Sequence, residues 1–427
     1  MASELQSIVD DLAERLDAPT VLEDHEERMV VYSSHSQPID EVRRESILRR
    51  ATRREVMSWF RDRGIVAATE PLRIPGQPDQ GILGRLCVPV RYQGRLMGWL
   101  FLIDDAGRLT DSDVASARQA AEHVALLLYE EELATRLTSG ALAHLLSPAE
   151  ELREAAAGQI VDQGLLPARA PVVVAVIQPL GVGDRLPREC INEALQDAAR
   201  ATRAPRPSRG ALRLGFADHA VVLVRARPAA ADDRAADDGA GVTEAREVAQ
   251  ALRYRLRKIP DARVIAAVGD PQARLRDAHV SYRHARLAVK VAAVVPSVGD
   301  IARWRELGVF RALAQLPADA AESAMDPRVA ALFAAGDEAL VRTLETYLDL
   351  GCDVKAASAR LHLHRATLYY RLDKAGRLCG INLRDGNDRL AVHLGFKLAR
   401  LADLHPYPEP EVHGNDGTAR TGTAQDA

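Results

Sequence analysis

The sequence predicts a multidomain chain in which two mixed α/β domains precede an all-α domain. Three observations carry that prediction. The chain has 427 residues, more than one ordinary core holds. Helical and strand periodicities alternate through residues 1–295, after which the pattern is mostly helical. Positive charge also gathers near one end. Between Cys352 and Leu401 ten Lys and Arg stand against four Asp, a net +6 where the whole chain carries −4, so the remainder carries −10. That asymmetry suggests a basic output domain on an acidic body.

The first α/β domain, residues 1–130, opens with Leu5, Ile8, Val9, Leu12 and Leu16 at helical spacing. Thr20–Ser33 reads as two short strands around a charged turn, and Ile47–Asp62 as one helix. Leu83–Val90 and Leu96–Ile103 form a hairpin whose turn, Tyr92–Arg95, holds Gln93-Gly94. Asp111 starts a long helix reaching about Leu146, with Ala117, Ala121, Val124, Leu127 and Leu128 on its apolar face. Residues 131–164 are expected to form a helical linker.

The second α/β domain, residues 165–295, has the order βαββαβα. Val172–Ile177 is a strand, Arg188–Ala201 a helix, and Gly210–Phe216 with Ala220–Arg225 a hairpin. Arg227–Gly241 is an Ala/Asp-rich spacer expected to be mobile. Val242–Arg257 is a helix, Arg263–Val268 a strand, and Leu275–Val294 a helix. That order implies an antiparallel-containing sheet with helices on one face. Residues 296–336 follow as a helical connector.

The informative segment lies in residues 337–404. Val354–Leu361 is a short helix with Ala356, Ala357 and Leu361 inward; the small alanines let a second helix cross closely. His362-Leu363 makes the turn, His364 caps the next helix, and Leu368 and Leu372 face inward one turn apart. That leaves His364, Arg365, Ala366, Thr367, Tyr369, Tyr370, Arg371 and Lys374 on exposed or flanking faces as the candidate DNA-binding set. Arg365 and Thr367, near the helix start, suit a base edge or a phosphate, and Arg371 and Lys374 suit phosphates. Residues 405–427 are rich in Pro, Gly, Thr and Asp, have no apolar period, and are expected to be disordered.

These patterns resemble a known regulator family. The stretch Leu344–Asp385 resembles the C-terminal helix-turn-helix domain of the PucR/CdaR family. The match is carried by Leu344, Tyr347, Leu348, Ala356, Ala357, Leu361, His364, Arg365, Thr367, Leu368, Tyr370, Arg371, Leu372 and Leu383, with Leu390–Leu401 as the closing helix. Ala366 departs from it, because the family usually places Asn there. VIAAVGDP at 264–271 and SYRHARLAVKVA at 281–292 resemble that family's GGDEF-like middle domain. The N-terminal order, with its hairpin VPVRYQGRLMGWLFLID and following long helix, resembles a GAF-type sensor.

The resemblance implies a GAF-like sensor or dimerisation domain, a degenerate GGDEF-like domain and a helix-turn-helix domain. The implied protein is a sequence-specific transcriptional regulator. Its expected partners are double-stranded operator DNA, further copies of itself as a homodimer or higher homo-oligomer, and a small-molecule effector.

Other chemistry is weaker in the sequence. Working GGDEF cyclases carry a glycine pair and an acidic pair on the central hairpin. Here the hairpin reads Gly215-Phe216-Ala217-Asp218-His219, where Ala217 cannot ligate a metal and Phe216 blocks close backbone approach. A divergent nucleotide cyclase and a scaffold dimer without DNA binding stand as the competing classes. His362 and His364 read as turn and cap rather than metal ligands, and Cys87 as a buried small hydrophobe. Gly181-x-Gly183 is too isolated for a dinucleotide loop. No enzyme activity, cofactor, metal or membrane association is expected. The four separated cysteines and the absence of a signal-peptide pattern suit a cytoplasmic protein.

Overall fold

A computed structural model describes residues 2–34, 39–49, 52–77, 79, 81–105, 107–182, 188–201, 211–226, 238–317, 320 and 323–407. The chain divides into two units, Met1–Leu137 and Thr138–Ala427.

The first unit is built on an antiparallel sheet. Its elements are α1 (Ala2–Leu16), β1 (Thr20–Asp24), β2 (Met29–Tyr32), α2 (Glu41–Arg49), α3 (Arg54–Arg61), β3 (Leu72–Ile74), β4 (Arg85–Tyr92), β5 (Arg95–Ile103) and α4 (Asp111–Leu145). The strand order is β2-β1-β5-β4-β3. Gln93 and Gly94 both take positive φ, 48° and 81°, the geometry of a two-residue hairpin turn. Alternate residues of β4 and β5 serve opposite faces. Leu86, Val88, Leu100 and Leu102 pack with α1 and α4, whereas Cys87, Trp99 and Phe101 pack with α2 and α3.

The single helix expected at Ile47–Asp62 is two helices. Asp40 starts α2 by accepting the Arg43 amide at 2.7 Å. Thr52, between the helices, donates its hydroxyl to Glu23 of β1 at 2.7 Å, and Arg53 is extended before α3 begins. A long-range side-chain bond thus holds a residue that local propensity would leave helical.

The second unit begins inside α4 at Thr138. The expected helical linker is instead the end of α4 followed by a separate α5 (Glu150–Asp162). Then come β6 (Val172–Leu180), α6 (Arg188–Ala201), β7 (Leu212–Gly215), β8 (Ala220–Arg225), α7 (Gly239–Leu256), β9 (Arg263–Val268), α8 (Ala278–Val294), β10 (Ile301–Arg303) and a one-turn α9 (Phe310–Leu313). The sheet order is β10-β9-β6-β8-β7, with β6 antiparallel to β8 and β9, and β10 parallel to β9.

Helices cover both faces of this sheet, not one. Val172, Val174 and Val176 of β6 face α8, while Val173, Ala175 and Ile177 face α6 and α7. An apolar run without polar alternation is what a strand buried on both sides requires. The expected spacer ends early, since Gly239–Gly241 already belong to α7; residues 227–237 lie outside the described residues, as does Gly183.

Two family-pattern residues acquire a physical reason here. A Cβ on Gly269 would stand 2.0 Å from the Ser281 carbonyl, so only glycine lets the end of β9 approach α8 this closely. Ser281, fully buried, accepts the Val174 amide through Oγ at 2.9 Å. No helix among the described residues is long and apolar enough to cross a membrane.

Candidate nucleic-acid interface

The last domain assembles five helices: α10 (Pro327–Ala334), α11 (Glu338–Asp349), α12 (Val354–Arg360), α13 (Arg365–Cys379) and α14 (Gly386–Leu401). Each starts with a side chain that accepts a free first-turn amide. Asp326, Asp337, Asp353 and Asp385 do so for α10, α11, α12 and α14. His364 does so for α13, its Nδ1 taking the Ala366 amide at 3.3 Å. The C-terminal end of α13 is closed by Gly380 in the left-handed region, φ 68°.

The core is Val329, Leu332, Leu340, Val341, Leu344, Leu348, Ala357, Leu368, Leu372, Ala375, Ile381, Val392 and Phe396. Leu368, Leu372 and Ala375 are the α13 residues buried in it, as the i, i+4, i+7 spacing requires. The helix pair α12–α13 turns at His362, whose φ of 53° is a non-glycine excursion into the left-handed region. Leu363 closes that turn by donating its amide to the Ser358 carbonyl at 2.9 Å. Ala357 is fully buried, whereas Ala356 and Leu361 are only half-buried.

The structure brings most of the predicted site residues onto one open surface. His364, Arg365, Ala366 and Thr367 are exposed at the start of α13, and Tyr369 and Tyr370 are 56% and 63% exposed one turn on. Exposed tyrosines side by side leave the domain core without them and suit an apolar or stacking surface. Arg371 and Lys374 stand apart from the rest, since both reach toward α11. Arg371 Nη1 lies 3.4 Å from Thr343 Oγ1, and Lys374 Nζ pairs with Asp337 at 3.0 Å. The Lys374 hydrogen bond holds the Asp337 carboxyl below its ordinary range.

Several of the ten bases counted in the sequence are internally neutralised. Arg377 pairs with Asp373, Lys397 with Asp349, and Arg400 with buried Glu345. Lys355, Arg360, Arg365, Arg384 and Arg389 make no ion pair among the described residues. Lys355, Arg360, Arg384 and Arg389 lie outside the predicted set. Their signal was the excess of basic over acidic residues, which names no single side chain.

In the hairpin Gly215–His219 of the middle domain, His219 is buried and Phe216 half-buried, while Ala217 and Asp218 are exposed at the tip. Phe216 stacks on His219 at 4.6 Å between centroids, and His219 Nε2 lies 2.9 Å from the Tyr282 hydroxyl. Asp218 and Arg286 both contact His219 Nδ1. Burial pushes the His219 imidazole below its ordinary range, against the opposing effect of Asp218. Asp218, the acidic residue of this hairpin, is thereby committed to His219 and Arg286.

Comparison with known proteins agrees with this architecture. Residues 340–398 match the PucR C-terminal helix-turn-helix domain, and residues 165–291 match a GGDEF-like domain. The chain is 23% identical over 420 residues to the proline-responsive transcriptional activator PutR of Bacillus subtilis (strain 168), covering 93% of this chain and 97% of that protein. It is 35% identical over 65 residues to the purine catabolism regulatory protein of the same organism, covering 15% of this chain and 12% of that one. Over 124 residues it is 23% identical to the B. subtilis DNA-binding transcriptional activator AdeR, covering 28% of this chain and 29% of that one.

Proposed function

We propose that this chain, a DNA-binding transcriptional regulator of the PucR type by its GGDEF-like and C-terminal helix-turn-helix domains, reads a specific operator through the first turns of α13. The observation that carries this reading is the open surface His364–Thr367 with Tyr369 and Tyr370, set on a helix whose opposite side is locked into the domain core. A helix anchored in this way can enter a major groove while keeping its side chains fixed. Arg365 is assigned to a base edge and Thr367 to a base or sugar-phosphate contact. Arg371 and Lys374 are assigned to flanking phosphates, exchanging their α11 partners for the DNA backbone.

The protein acts as a homodimer in this reading, because two such helices must fall about 34 Å apart to read successive major grooves. Leu126, Leu133 and Leu137 of α4 are large apolar residues left exposed, and they supply a stripe for a second copy. We assign residues 1–130 to signal reception and 337–404 to DNA. The chain spans nearly the whole of a relative named as proline-responsive, which supports a small-molecule signal here. No catalytic role is assigned to the middle domain, since Ala217 offers no metal ligand and Asp218 is engaged by His219. The cytoplasm is the compartment this function requires.

Selection from random double-stranded oligonucleotides, followed by a gel shift with excess non-specific competitor, tests the reading. A recovered motif whose shift survives competitor is expected. Recovery of no motif, with retardation abolished by competitor, would leave a scaffold. A second assay, GTP with magnesium, is expected to yield no cyclic nucleotide product.

A further inference from the structure

Helix α14 is buried on two opposite sides, whereas a surface helix buries one stripe. Val392 and Phe396, one turn apart, belong to the core of the helical domain. Leu398 and Leu401 belong instead to the core of the middle domain, in one apolar cluster with Trp304, Leu307, Leu313 and Ala314. Half-buried Leu394 packs against that cluster too. Leu394 and Leu398 follow Val392 and Phe396 by two residues each, about 200° around a helix of 3.6 residues per turn. The two stripes therefore face nearly opposite ways, and α14 packs against α8 and α9 as well as against α10 and α11.

The helical-domain side of α14 is fixed to the reading helix. Gly395 lets α10 cross closely, since a Cβ there would stand 2.8 Å from Val329 Cγ2. Buried Arg400 pairs with Glu345 of α11, and α11 packs on α13.

The middle-domain side meets the end of a second helix. Ala141, Leu142 and Leu145, in the last turns of α4, lie in the same apolar cluster as Leu398 and Leu401. The stripe assigned above to a second copy, with Leu133 and Leu137, is on that helix. One packed core thus holds the end of the helix assigned to dimerisation and the end of α14. A covalent tether by itself would leave two domains free to turn, whereas a shared apolar core resists turning and transmits displacement.

We propose that Leu398 and Leu401 are positioning residues for DNA reading: they seat α14 in the middle-domain core, so that the two α13 helices of a dimer stand at one fixed separation and the protein accepts one spacing of half-sites. This rests on the reading of α13 as the operator-binding helix of a homodimer, and it names what sets the geometry of that site.

Fluorescence anisotropy of the full chain with duplexes carrying the two half-sites of the selected operator tests it, at native spacing and with two base pairs inserted between them. The insertion moves one half-site by roughly 7 Å and turns it by roughly 70°. Wild type is expected to bind the lengthened duplex about tenfold more weakly or worse, because the second α13 loses its half-site. Leu398→Ala with Leu401→Ala should bind the two duplexes within about threefold of each other, and a duplex with one half-site as wild type does. Leu398→Met with Leu401→Met, which nearly keeps the volume, should restore the dependence on spacing. A merely stabilising role would lower the affinity of the alanine variant for all duplexes alike and leave the ratio between spacings unchanged, which overturns the proposal. Equal binding of both spacings by wild type overturns it as well, and that result needs no variant to fold. A selected motif with a single half-site overturns it by removing the dimer. Specific binding of one half-site by wild type without preference for spacing removes this inference alone, whereas no specific binding to any selected duplex removes the operator reading.

Discussion

Glu345 and Arg400 join α11 to α14. Arg400 Nη2 and Nε reach the two Glu345 oxygens at 2.7 and 3.1 Å, and both side chains are buried. Burial alone would raise the Glu345 carboxyl; hydrogen bonds from His405 and Arg400 outweigh it and hold the group below its ordinary value of 4.5. A carboxyl depressed on folding stabilises the protein above its unfolded value and loses that contribution as pH falls through the folded one. The stability of this domain to denaturant should therefore fall from about pH 5 downward. Glu345→Gln should flatten that acid loss and cost about 3–5 kcal/mol at neutral pH, because Arg400 stays buried without its counter-charge. An unchanged pH profile in the variant would place the acid sensitivity elsewhere. Lys374 is a different case, since its pair with Asp337 is largely exposed. Lys374→Ala should change stability by under about 1 kcal/mol. It should nevertheless weaken binding to all DNA sequences alike and reduce the salt slope by about one, if the side chain meets a phosphate.

Among elements, the helix-turn-helix was the most legible in the sequence. Leu368 and Leu372 at i, i+4, the alanine pair Ala356-Ala357 and His364 before Arg365 are local signals, and local signals survive without tertiary information. The burial of Leu368 and Leu372 and the His364 cap follow that pattern. Other elements depended on partners far along the chain. The break between α2 and α3 is held by Thr52 on Glu23, 29 residues away. Strands β3 and β10 have three residues each, too few to show a period, and exist only because β4 and β9 offer them an edge. Helices on both faces of the middle sheet were readable in the unbroken apolar run Val172–Ile177 of β6, yet the element order alone pointed to one face. The burial of Glu23 and Arg43 had no sequence signal, since neither residue stands in a motif. Gly269 offers a test at this scale. Gly269→Ala should destabilise the second unit by about 1–3 kcal/mol, because its Cβ would press on the Ser281 carbonyl. A thermal midpoint equal to wild type would show that β9 and α8 can separate at no cost.

At the scale of the molecule, the regulator reading joins three features that no single domain holds. The helix α13 offers a reading surface, Leu126, Leu133 and Leu137 offer a dimer stripe, and residues 1–130 are assigned to signal reception. Placing charge in the stripe, as Leu133→Glu with Leu137→Glu, should shift sedimenting mass toward the monomer and lower operator affinity together. Loss of one without the other would separate dimerisation from DNA reading. A dimer that neutralises about six phosphates should show log affinity falling with log salt at a slope near −5.

The central claim is that Arg365 at the start of α13 reads a base. Its most direct test is the affinity of wild type and Arg365→Ala for the selected operator and for a scrambled duplex, by fluorescence anisotropy at fixed salt. The account predicts a loss of about five- to 150-fold on the operator, no comparable loss on the scrambled duplex, and an unchanged circular dichroism spectrum. Equal operator affinity in the two proteins would contradict it.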